Sequence, residues 1–440
     1  MFRNMLALLV VVLVATCPAR GQQEPPAGQW LGTASIGQET TRIRITLSEA
    51  GSGWAGSVDL LDLGVVGWPA SEVLITEHGV TVTIPSDSGP QTLTLVSTER
   101  GRLTGEWTES RPVGPARLEL EHLGAAPEQA ESRLIVEGPA GALGVSIISP
   151  TNEAPIAGVV FVHGSGAQPR DATRFHSQMF AEAGIASAMY DKRGVGESEG
   201  DWLQADFDDL ARDAVAVADR LALETGLRPD QIGFVGYSQG GWIGPVAAAL
   251  REDTAFVISI AGPATTPGEE GHWGSVRSLR QAGYGADVQS RASSILDTWN
   301  SGIRAGGDFS AFERARSAVE NEPWFAASLL GEYGTADLSP AWIAWYAGIL
   351  DFDPVPVLRA TRIPFLSLMG DADEEQPWDR STEIFEALAA EGLPVETHLY
   401  AGVTHSMRHA SSEASPRRWP GRPSDFYTRQ VDFIRRQVGD

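Results

Sequence analysis

Two serines in this sequence lie between glycines in the pattern Gly-x-Ser-x-Gly, which can present a hydroxyl group for nucleophilic attack. Ser198 lies in "RGVGESEGD", and Ser238 lies in "GFVGYSQGG". A serine becomes a strong nucleophile only beside a base, an acid that orients the base, and N–H groups that stabilise a developing oxyanion. A strand that ends at the serine and a helix that starts just after it supply that geometry, and the glycines let strand and helix approach closely.

The segments on either side distinguish the two serines. Before Ser238, "QIGFV" predicts a buried strand, and after it "GGWIGPVAAAL" predicts a helix, with Pro245 close enough to its start to be tolerated. Ser198 lies between "DKRGVG" and "EGDW", a charged, glycine-rich stretch that is typical of a loop. The sequence therefore predicts that Ser238 is the nucleophile and that Ser198 is a turn residue.

Three of the eight histidines follow the predicted nucleophile far enough along the chain to serve as its base. His398 falls in the middle of the predicted strand "VETHLY". His409 comes four residues, about one helical turn, after His405. His405 lies in the loop "AGVTHSM" directly after that strand, and we predict that it is the base. His405 and His409 could together bind a metal ion, but neither an HExxH pattern nor a carboxylate at ligand spacing supports this. We therefore expect no metal and no cofactor.

The acid that orients the base should follow the preceding strand, in "FLSLMGDADEEQP". Asp373 is 32 residues before His405, with one predicted helix and one predicted strand between them. We predict Asp373 as the acid and keep Asp371 as the alternative. Glu374 and Glu375 are expected to be solvated, as is usual for acidic loop residues in so acidic a chain.

Two backbone N–H groups are needed for the oxyanion. The first is that of Gln239, directly after the nucleophile, and the second is expected in the loop "FVHGSGAQPRD". Within this loop Gly164 permits a close approach of the backbone, and we predict Ser165 N–H as the second donor. His163 is expected to brace the loop by a hydrogen bond.

The order of strand and helix patterns predicts two domains. Residues 28–122 read as short alternating strands, which predict a small antiparallel barrel or sandwich with tryptophans in its core. Residues 124–131 read as a linker. From 132 to 437, apolar strands alternate with amphipathic helices, which predicts a mostly parallel sheet with helices on both faces. This alternation stops over residues 263–361, and we predict that this insertion is a helical lid.

The net charge, the amino-terminal segment and the cysteine count limit the molecules that this protein can bind and the compartment in which it acts. The formal net charge of −24 disfavours nucleic acid and anionic lipid as partners. Residues 1–21 combine a positive start, an apolar run and small residues at a cleavage site, and so predict a signal peptide, no membrane span and an exported, periplasmic or secreted protein. Removal of Arg3 and Arg20 would take the charge to −26. The only cysteine, Cys17, lies in this segment, so thiol catalysis is excluded.

The order of five motifs along the chain resembles that of the α/β-hydrolase superfamily: "HGSG", "YDKRGVGES", "GYSQGG", "GDAD" and "THSM". More narrowly, the sequence resembles a group of exported bacterial esterase-like hydrolases with a β-rich amino-terminal domain. The resemblance covers about 132 to 437. It implies that Asp191 and Arg193 are structural residues of a loop beside the site. Gln239 departs from the pattern, since many relatives carry glutamate there. The triad and the oxyanion donors that the resemblance implies are those named above: Ser238, Asp373, His405, Ser165 and Gln239.

The sequence thus predicts a serine esterase that acts on small-molecule esters of short to medium acyl groups. A serine aminopeptidase or thioesterase of the same fold is the alternative, and a non-catalytic binding protein is a third possibility. An aminopeptidase needs carboxylates near the site to hold the substrate ammonium group. The insertion supplies six glutamates: Glu269, Glu270, Glu313, Glu320, Glu322 and Glu332. It also carries five tryptophans that could line an acyl pocket: Trp273, Trp299, Trp324, Trp342 and Trp345.

Overall fold

The structure is a computed structural model. It describes residues 27–37, 39–86, 89–99, 101–108, 115–125, 129–151, 153–333, 338–411 and 419–439. The predicted signal peptide lies outside these residues. The described residues fall into two compact units, the first within 1–58 and 67–125, and the second within 59–66 and 126–440.

The first unit is a β structure, as predicted. Its strands are β1 (Gly28–Ile36), β2 (Glu39–Ala50), β3 (Gly53–Leu60), β4 (Val65–Pro69), β5 (Glu72–Thr76), β6 (Gly79–Ile84), β7 (Gln91–Glu99), β8 (Arg102–Thr108) and β9 (Ala116–Gly124). They form one nine-stranded sheet in the order β4-β3-β2-β1-β9-β8-β7-β6-β5. Alternate residues are buried, and Trp30 and Trp107 lie in the core with 1% of their surface exposed, while Trp54 is only partly buried.

The second unit contains the predicted, mostly parallel sheet. Its strands are β10 (Gln129–Gly138), β11 (Gly141–Pro150), β12 (Ala157–Val162), β13 (Ile185–Tyr190), β14 (Ile232–Tyr237), β15 (Val257–Ile260), β16 (Phe365–Gly370) and β17 (Val395–Tyr400). Their order in the sheet is β10-β11-β13-β12-β14-β15-β16-β17. The two pairs made by β11 are antiparallel, and the pairs from β13 to β17 are parallel. Since β10 begins at Gln129, the end of the predicted linker is strand.

Helices cover both faces of this sheet. They are α1 (Arg174–Glu182), α2 (Phe207–Thr225), α3 (Gly240–Leu250), α10 (Trp378–Ala390) and α11 (Phe426–Val438). Alternate residues of β12 point to opposite faces: Val160 packs in a cluster with side chains of α2 and α3, whereas Val159 packs with those of α1 and α11. Burial of every residue of β12 explains why this strand is a continuous apolar run in the sequence.

The segment between β15 and β16 is a helical insertion with a core of its own. Its helices are α4 (Pro267–Glu270), α5 (Trp273–Gln281), α6 (Ala286–Arg304), α7 (Ser310–Ser317), α8 (Pro340–Ile349) and α9 (Pro354–Thr361). Trp299 and Trp324 are buried in this core, and Trp342 packs against it from a partly exposed position. Among the described helices of the whole chain, none is long and apolar enough to cross a membrane.

Candidate active site

Ser238 occupies a strained turn between β14 and α3. Its φ angle is +49°, a value that side-chain-bearing residues rarely adopt. A Cβ atom added to Gly236 would lie 2.1 Å from the carbonyl oxygen of Gly240, and one added to Gly240 would lie 2.5 Å from that of Val162. Both glycines are therefore required for this close packing of strand and helix, and the turn holds Ser238 at the carboxyl end of a parallel strand.

Ser198 occupies a different environment. Its hydroxyl donates a hydrogen bond to the carbonyl of Asp191 (2.6 Å) and accepts one from the N–H of Gly144 (3.0 Å). Only 8% of the residue is exposed. The hydroxyl thus satisfies buried backbone groups, which is a structural role.

The loops after β16 and β17 are tied together by backbone hydrogen bonds. Asp371 N–H donates to the carbonyl of Tyr400 (3.0 Å), and Ala372 N–H donates to that of Val403 (3.0 Å). A Cβ atom on Gly370 would lie 2.0 Å from the Val403 oxygen, so only glycine permits this approach. The contact brings the acidic loop against the histidine loop.

His405 and Asp373 meet where these loops join. His405 Nδ1 lies 2.9 Å from Asp373 Oδ2, and the Asp373 side chain is fully buried. The other carboxylate oxygen accepts hydrogen bonds from the N–H groups of Glu375 (2.8 Å) and Gln376 (2.9 Å). These bonds fix the carboxylate, so that Nδ1–H donates to it and Nε2 is left as the basic atom.

The alternative acid, Asp371, does not bind the imidazole. Its Oδ1 accepts a hydrogen bond from Gly402 N–H (2.6 Å) and so closes the loop after β17. Glu374 Oε2 lies 3.4 Å from the backbone nitrogen of His405, and Glu375 Oε2 lies 3.5 Å from His405 Nε2. Both glutamates are exposed, as predicted, although they lie beside the histidine.

Opposing effects set the pKa of His405. Burial alone would lower it, but the hydrogen bond and charge of Asp373, with the charges of Glu375 and Glu270, raise the pKa above its ordinary value of 6.5. A raised pKa makes the imidazole a stronger base toward a serine hydroxyl.

The predicted oxyanion loop lies against Ser238. A Cβ atom on Gly164 would lie 3.6 Å from Ser238 Cβ. Gln168 braces this loop, because its side chain accepts a hydrogen bond from Gly164 N–H (3.3 Å) and donates one to the carbonyl of Ser165 (3.2 Å). Gln239 begins the turn into α3, and its side chain is buried.

His163 lies at the end of β12 below this loop. Its Nε2 is 2.6 Å from the carbonyl oxygen of Tyr190. Burial and the charge of Lys192 lower the pKa of His163 to about 3, so the ring is neutral and donates to the carbonyl. This placement fits the bracing role expected from the sequence.

The other two histidines considered as bases lie elsewhere. His398 stacks edge-on against Tyr400 within β17, with ring centroids 4.3 Å apart. His409 forms an isolated β-bridge with Val403. Among the described residues there is no group of three His, Cys, Asp or Glu side chains that could hold a metal ion.

Two residues of the insertion, Glu270 and Trp273, lie close to the His405–Asp373 pair, and the sequence alone did not distinguish them from the other glutamates and tryptophans of the insertion. Glu270 Oε1 accepts a hydrogen bond from Gln376 Nε2 (2.9 Å), and Trp273 Nε1 lies 3.4 Å from the carbonyl oxygen of Asp373. Burial raises the pKa of Glu270 to about 7, although the Gln376 hydrogen bond and the charge of His405 oppose this. Glu270 was one of six insertion glutamates, and no local pattern distinguished it from the others.

Parts of this chain are similar to known proteins. The sequence model of a family described as serine aminopeptidase, S33, matches residues 153–298. Similar solved structures include a proline iminopeptidase of Mycobacterium smegmatis, with 18% identity and a TM-score of 0.44 over 70% of this chain and 99% of that chain. An esterase of Pyrococcus furiosus has 12% identity and a TM-score of 0.43 over 70% and 92%. An α/β-hydrolase of Penicillium sp. sh18 has 20% identity and a TM-score of 0.45 over 70% and 99%.

Proposed function

We propose that the chain is a serine hydrolase of the α/β-hydrolase superfamily and that it cleaves carboxylic esters of short to medium acyl groups; the family match over residues 153–298 supports the first part of this proposal. The observation that carries this proposal is the buried His405–Asp373 pair at the same sheet edge as the strained turn of Ser238. The carboxyl ends of β14, β16 and β17 meet at this edge because the strands are parallel.

The proposed reaction proceeds through an acyl-enzyme. Ser238 Oγ attacks the ester carbonyl carbon while His405 Nε2 accepts the hydroxyl proton. The N–H groups of Gln239 and Ser165 stabilise the oxyanion, and Asp373 stabilises the imidazolium. Collapse of the intermediate breaks the ester bond, and His405 gives its proton to the departing alcohol. Water, activated by His405, then attacks the acyl-enzyme and releases the carboxylic acid and free Ser238.

The insertion is proposed to be a lid that selects the acyl group. Trp345 of α8 packs edge-on against Trp202, with ring centroids 5.4 Å apart. Trp202 in turn lies 5.4 Å from the ammonium nitrogen of Lys192, which contacts both oxyanion segments. The tryptophan pair is therefore close to where an acyl chain would start, and an apolar wall there suits an ester substrate.

Trp345→Ala should shift the chain-length preference toward longer acyl groups, because it removes an apolar wall. We expect the ratio of kcat/KM for octanoyl over butanoyl nitrophenyl ester to rise at least about tenfold, since each accommodated methylene contributes about 1–3 kcal/mol. Trp324→Phe is the matched control, because Trp324 is buried within the insertion's own core. An unchanged ratio in Trp345→Ala would rule out this wall as the selector.

The rate should depend on pH through His405. Because the base must be neutral to accept a proton, kcat/KM should rise with pH through a pKa above 6.5 and fall as His405 is protonated. In Asp373→Asn the hydrogen bond and charge of Asp373 no longer raise this pKa, and only the charges of Glu375 and Glu270 remain to do so, so the acid limb of the profile should move to lower pH. Profiles of kcat/KM for both proteins measure this, and a limb that stays in place contradicts the assignment.

A serine aminopeptidase is the second candidate, favoured by one observation. Glu270 brings a partly buried carboxyl group from the insertion to the His405–Asp373 pair, where a substrate ammonium group could be bound. A panel of nitrophenyl esters, acyl-CoA thioesters and aminoacyl anilides distinguishes the candidates. We expect cleavage of the esters, with Glu270→Gln retaining this activity. Cleavage of the anilides alone, with a large increase in KM in Glu270→Gln, would establish the aminopeptidase instead.

Export is proposed from the amino-terminal sequence. The protein purified from the exported fraction should begin near Gln22 and carry no lipid, and amino-terminal sequencing with an intact mass measures both. Leu9→Arg interrupts the apolar run and should keep the protein inside the cell. Exported protein that still begins at Met1, or that is acylated on Cys17, would contradict the proposal.

A further inference from the structure

Lys192, the only lysine in the chain, joins the two segments that carry the proposed oxyanion donors. It follows β13 and is almost completely buried, with 1% of its surface exposed. Its Nζ donates to the carbonyl oxygen of Gly164 (2.9 Å) and to Oε1 of the Gln239 side chain (2.9 Å). Gly164 directly precedes Ser165, and Gln239 directly follows Ser238, so one ammonium group contacts both sides of the oxyanion site.

The bond to Gly164 acts on a catalytic donor through a single peptide group. The Gly164 carbonyl and the Ser165 N–H belong to the same peptide unit, which is planar. A cation that binds the carbonyl oxygen polarises this unit, so the N–H becomes a stronger donor. The same bond fixes the peptide plane and hence the direction of the N–H.

The partners of Lys192 are neutral, which preserves its electrostatic effect on the site. Both described hydrogen bonds go to amide oxygens, and the centroid of the Trp202 ring lies 5.4 Å from Nζ. Neighbouring charges are engaged elsewhere: Asp191 accepts hydrogen bonds from backbone N–H groups, and Arg193 pairs with Asp213. Burial lowers the pKa of Lys192 to about 7. The ammonium form, on which the electrostatic effect depends, is therefore fully populated only below this pH. Burial of a cation without a carboxylate partner disfavours folding, and groups with such strongly shifted pKa values are common at functional sites.

We propose that Lys192 is a positioning residue that aligns and polarises the oxyanion donors and so stabilises the anionic tetrahedral intermediate. This inference rests on the proposed serine-hydrolase mechanism but not on the choice between ester and amide substrates. A lysine that only held the loops together would affect folding and substrate binding, whereas the proposed role affects the transition state selectively.

The central test is Lys192→Met, which keeps the length of the side chain and removes the charge. We expect kcat for the best substrate of the panel to fall about 10- to 100-fold, less than or comparable to direct loss of an oxyanion donor, while KM changes less than about threefold. An alkyl boronic acid, which forms an anionic tetrahedral adduct with the serine, should bind more weakly by a similar factor. A change in KM alone, or a kcat within twofold of the parent, overturns the proposal.

Arg251→Met is the matched control for removing a buried cation. Arg251 has 8% of its surface exposed and pairs with Asp219 at the far end of α3 from Ser238. It should lower thermal stability without selectively weakening boronic acid binding. Equal weakening in the two variants would mean that a general loss of packing, rather than the oxyanion site, explains the effect of Lys192→Met.

Two further readouts keep the inference testable if Lys192→Met folds poorly or no substrate of the panel is cleaved. Covalent labelling by a fluorophosphonate needs the proposed triad and oxyanion site but no particular acyl group, so Gln239→Met, which removes one partner of Lys192, should slow it, and an unchanged labelling rate would contradict the proposal. In the parent protein, ¹⁵N-labelled lysine gives a single side-chain signal because Lys192 is the only lysine. This signal should shift when the boronic acid adduct forms, and an unchanged signal overturns the proposal.

Discussion

Ser238→Ala should remove hydrolysis, with a loss of about 10⁶ in kcat, and should abolish covalent labelling by a fluorophosphonate. The physical reason is that the other triad members act only through the serine oxygen, so they cannot compensate for its absence. The residue has a positive φ angle in the turn directly after β14, and alanine keeps the same Cβ atom there. Residual activity would come only from the oxyanion donors and substrate binding.

Ser198→Ala is the matched control, because it removes a hydroxyl from the other Gly-x-Ser-x-Gly pattern. Two buried backbone groups, Asp191 C=O and Gly144 N–H, lose their partner, so the free energy of unfolding should fall by about 1–3 kcal/mol. Labelling and turnover at moderate temperature should remain close to those of the parent. Labelling that persists in Ser238→Ala and disappears in Ser198→Ala would reverse the assignment.

His405→Ala should reduce kcat nearly as much as loss of the serine, and Asp373→Asn should reduce it by about 10⁴. An asparagine at 373 presents either an N–H₂ group or a neutral oxygen to Nδ1, so the imidazole loses both its fixed tautomer and the charge that stabilises the imidazolium. Rates of acylation measured in a single turnover report this step directly.

Asp371→Asn is the control for the acidic loop. Its carboxylate binds the Gly402 N–H rather than the imidazole, so we expect a change of less than about tenfold in kcat, with most of the effect on stability. If Asp371→Asn were the more harmful of the two changes, the acid of the triad would be Asp371. Each variant should be checked by its thermal midpoint, so that lost activity is not confused with unfolding.

Much of the fold follows from local patterns in the sequence. The buried strand before Ser238, the helix after it and the glycines between them lie within the twenty residues 231–250, so the turn could be predicted from its own composition. His405 was identified in the same way, because its position directly after a predicted strand brings it to the carboxyl edge of a parallel sheet. The prediction of a serine hydrolase fold rested on such short segments.

Contacts between distant segments could not be predicted in this way. Asp371 and Asp373 lie in one acidic loop, and only the hydrogen bonds between the loops after β16 and β17 turn Asp373 toward His405. Glu270 comes to the same place from an insertion that begins more than a hundred residues before the acidic loop. The direction of a loop side chain depends on such long-range packing, which has no period along the chain.

Lys192 shows most clearly the difference between what local sequence patterns predict and what contacts between distant segments decide. The sequence established that this lysine is unique and that it lies in a charged, glycine-rich loop, where a solvated side chain is the usual expectation. The tertiary structure instead buries it between Gly164 and Gln239, residues that are 28 and 47 positions away along the chain. Local patterns therefore determined where the proposed nucleophile and base lie along the chain, because strand, turn and helix preferences act over a few residues. Which polar groups surround them was decided only when the loops packed together, because each buried donor needed an acceptor from another segment.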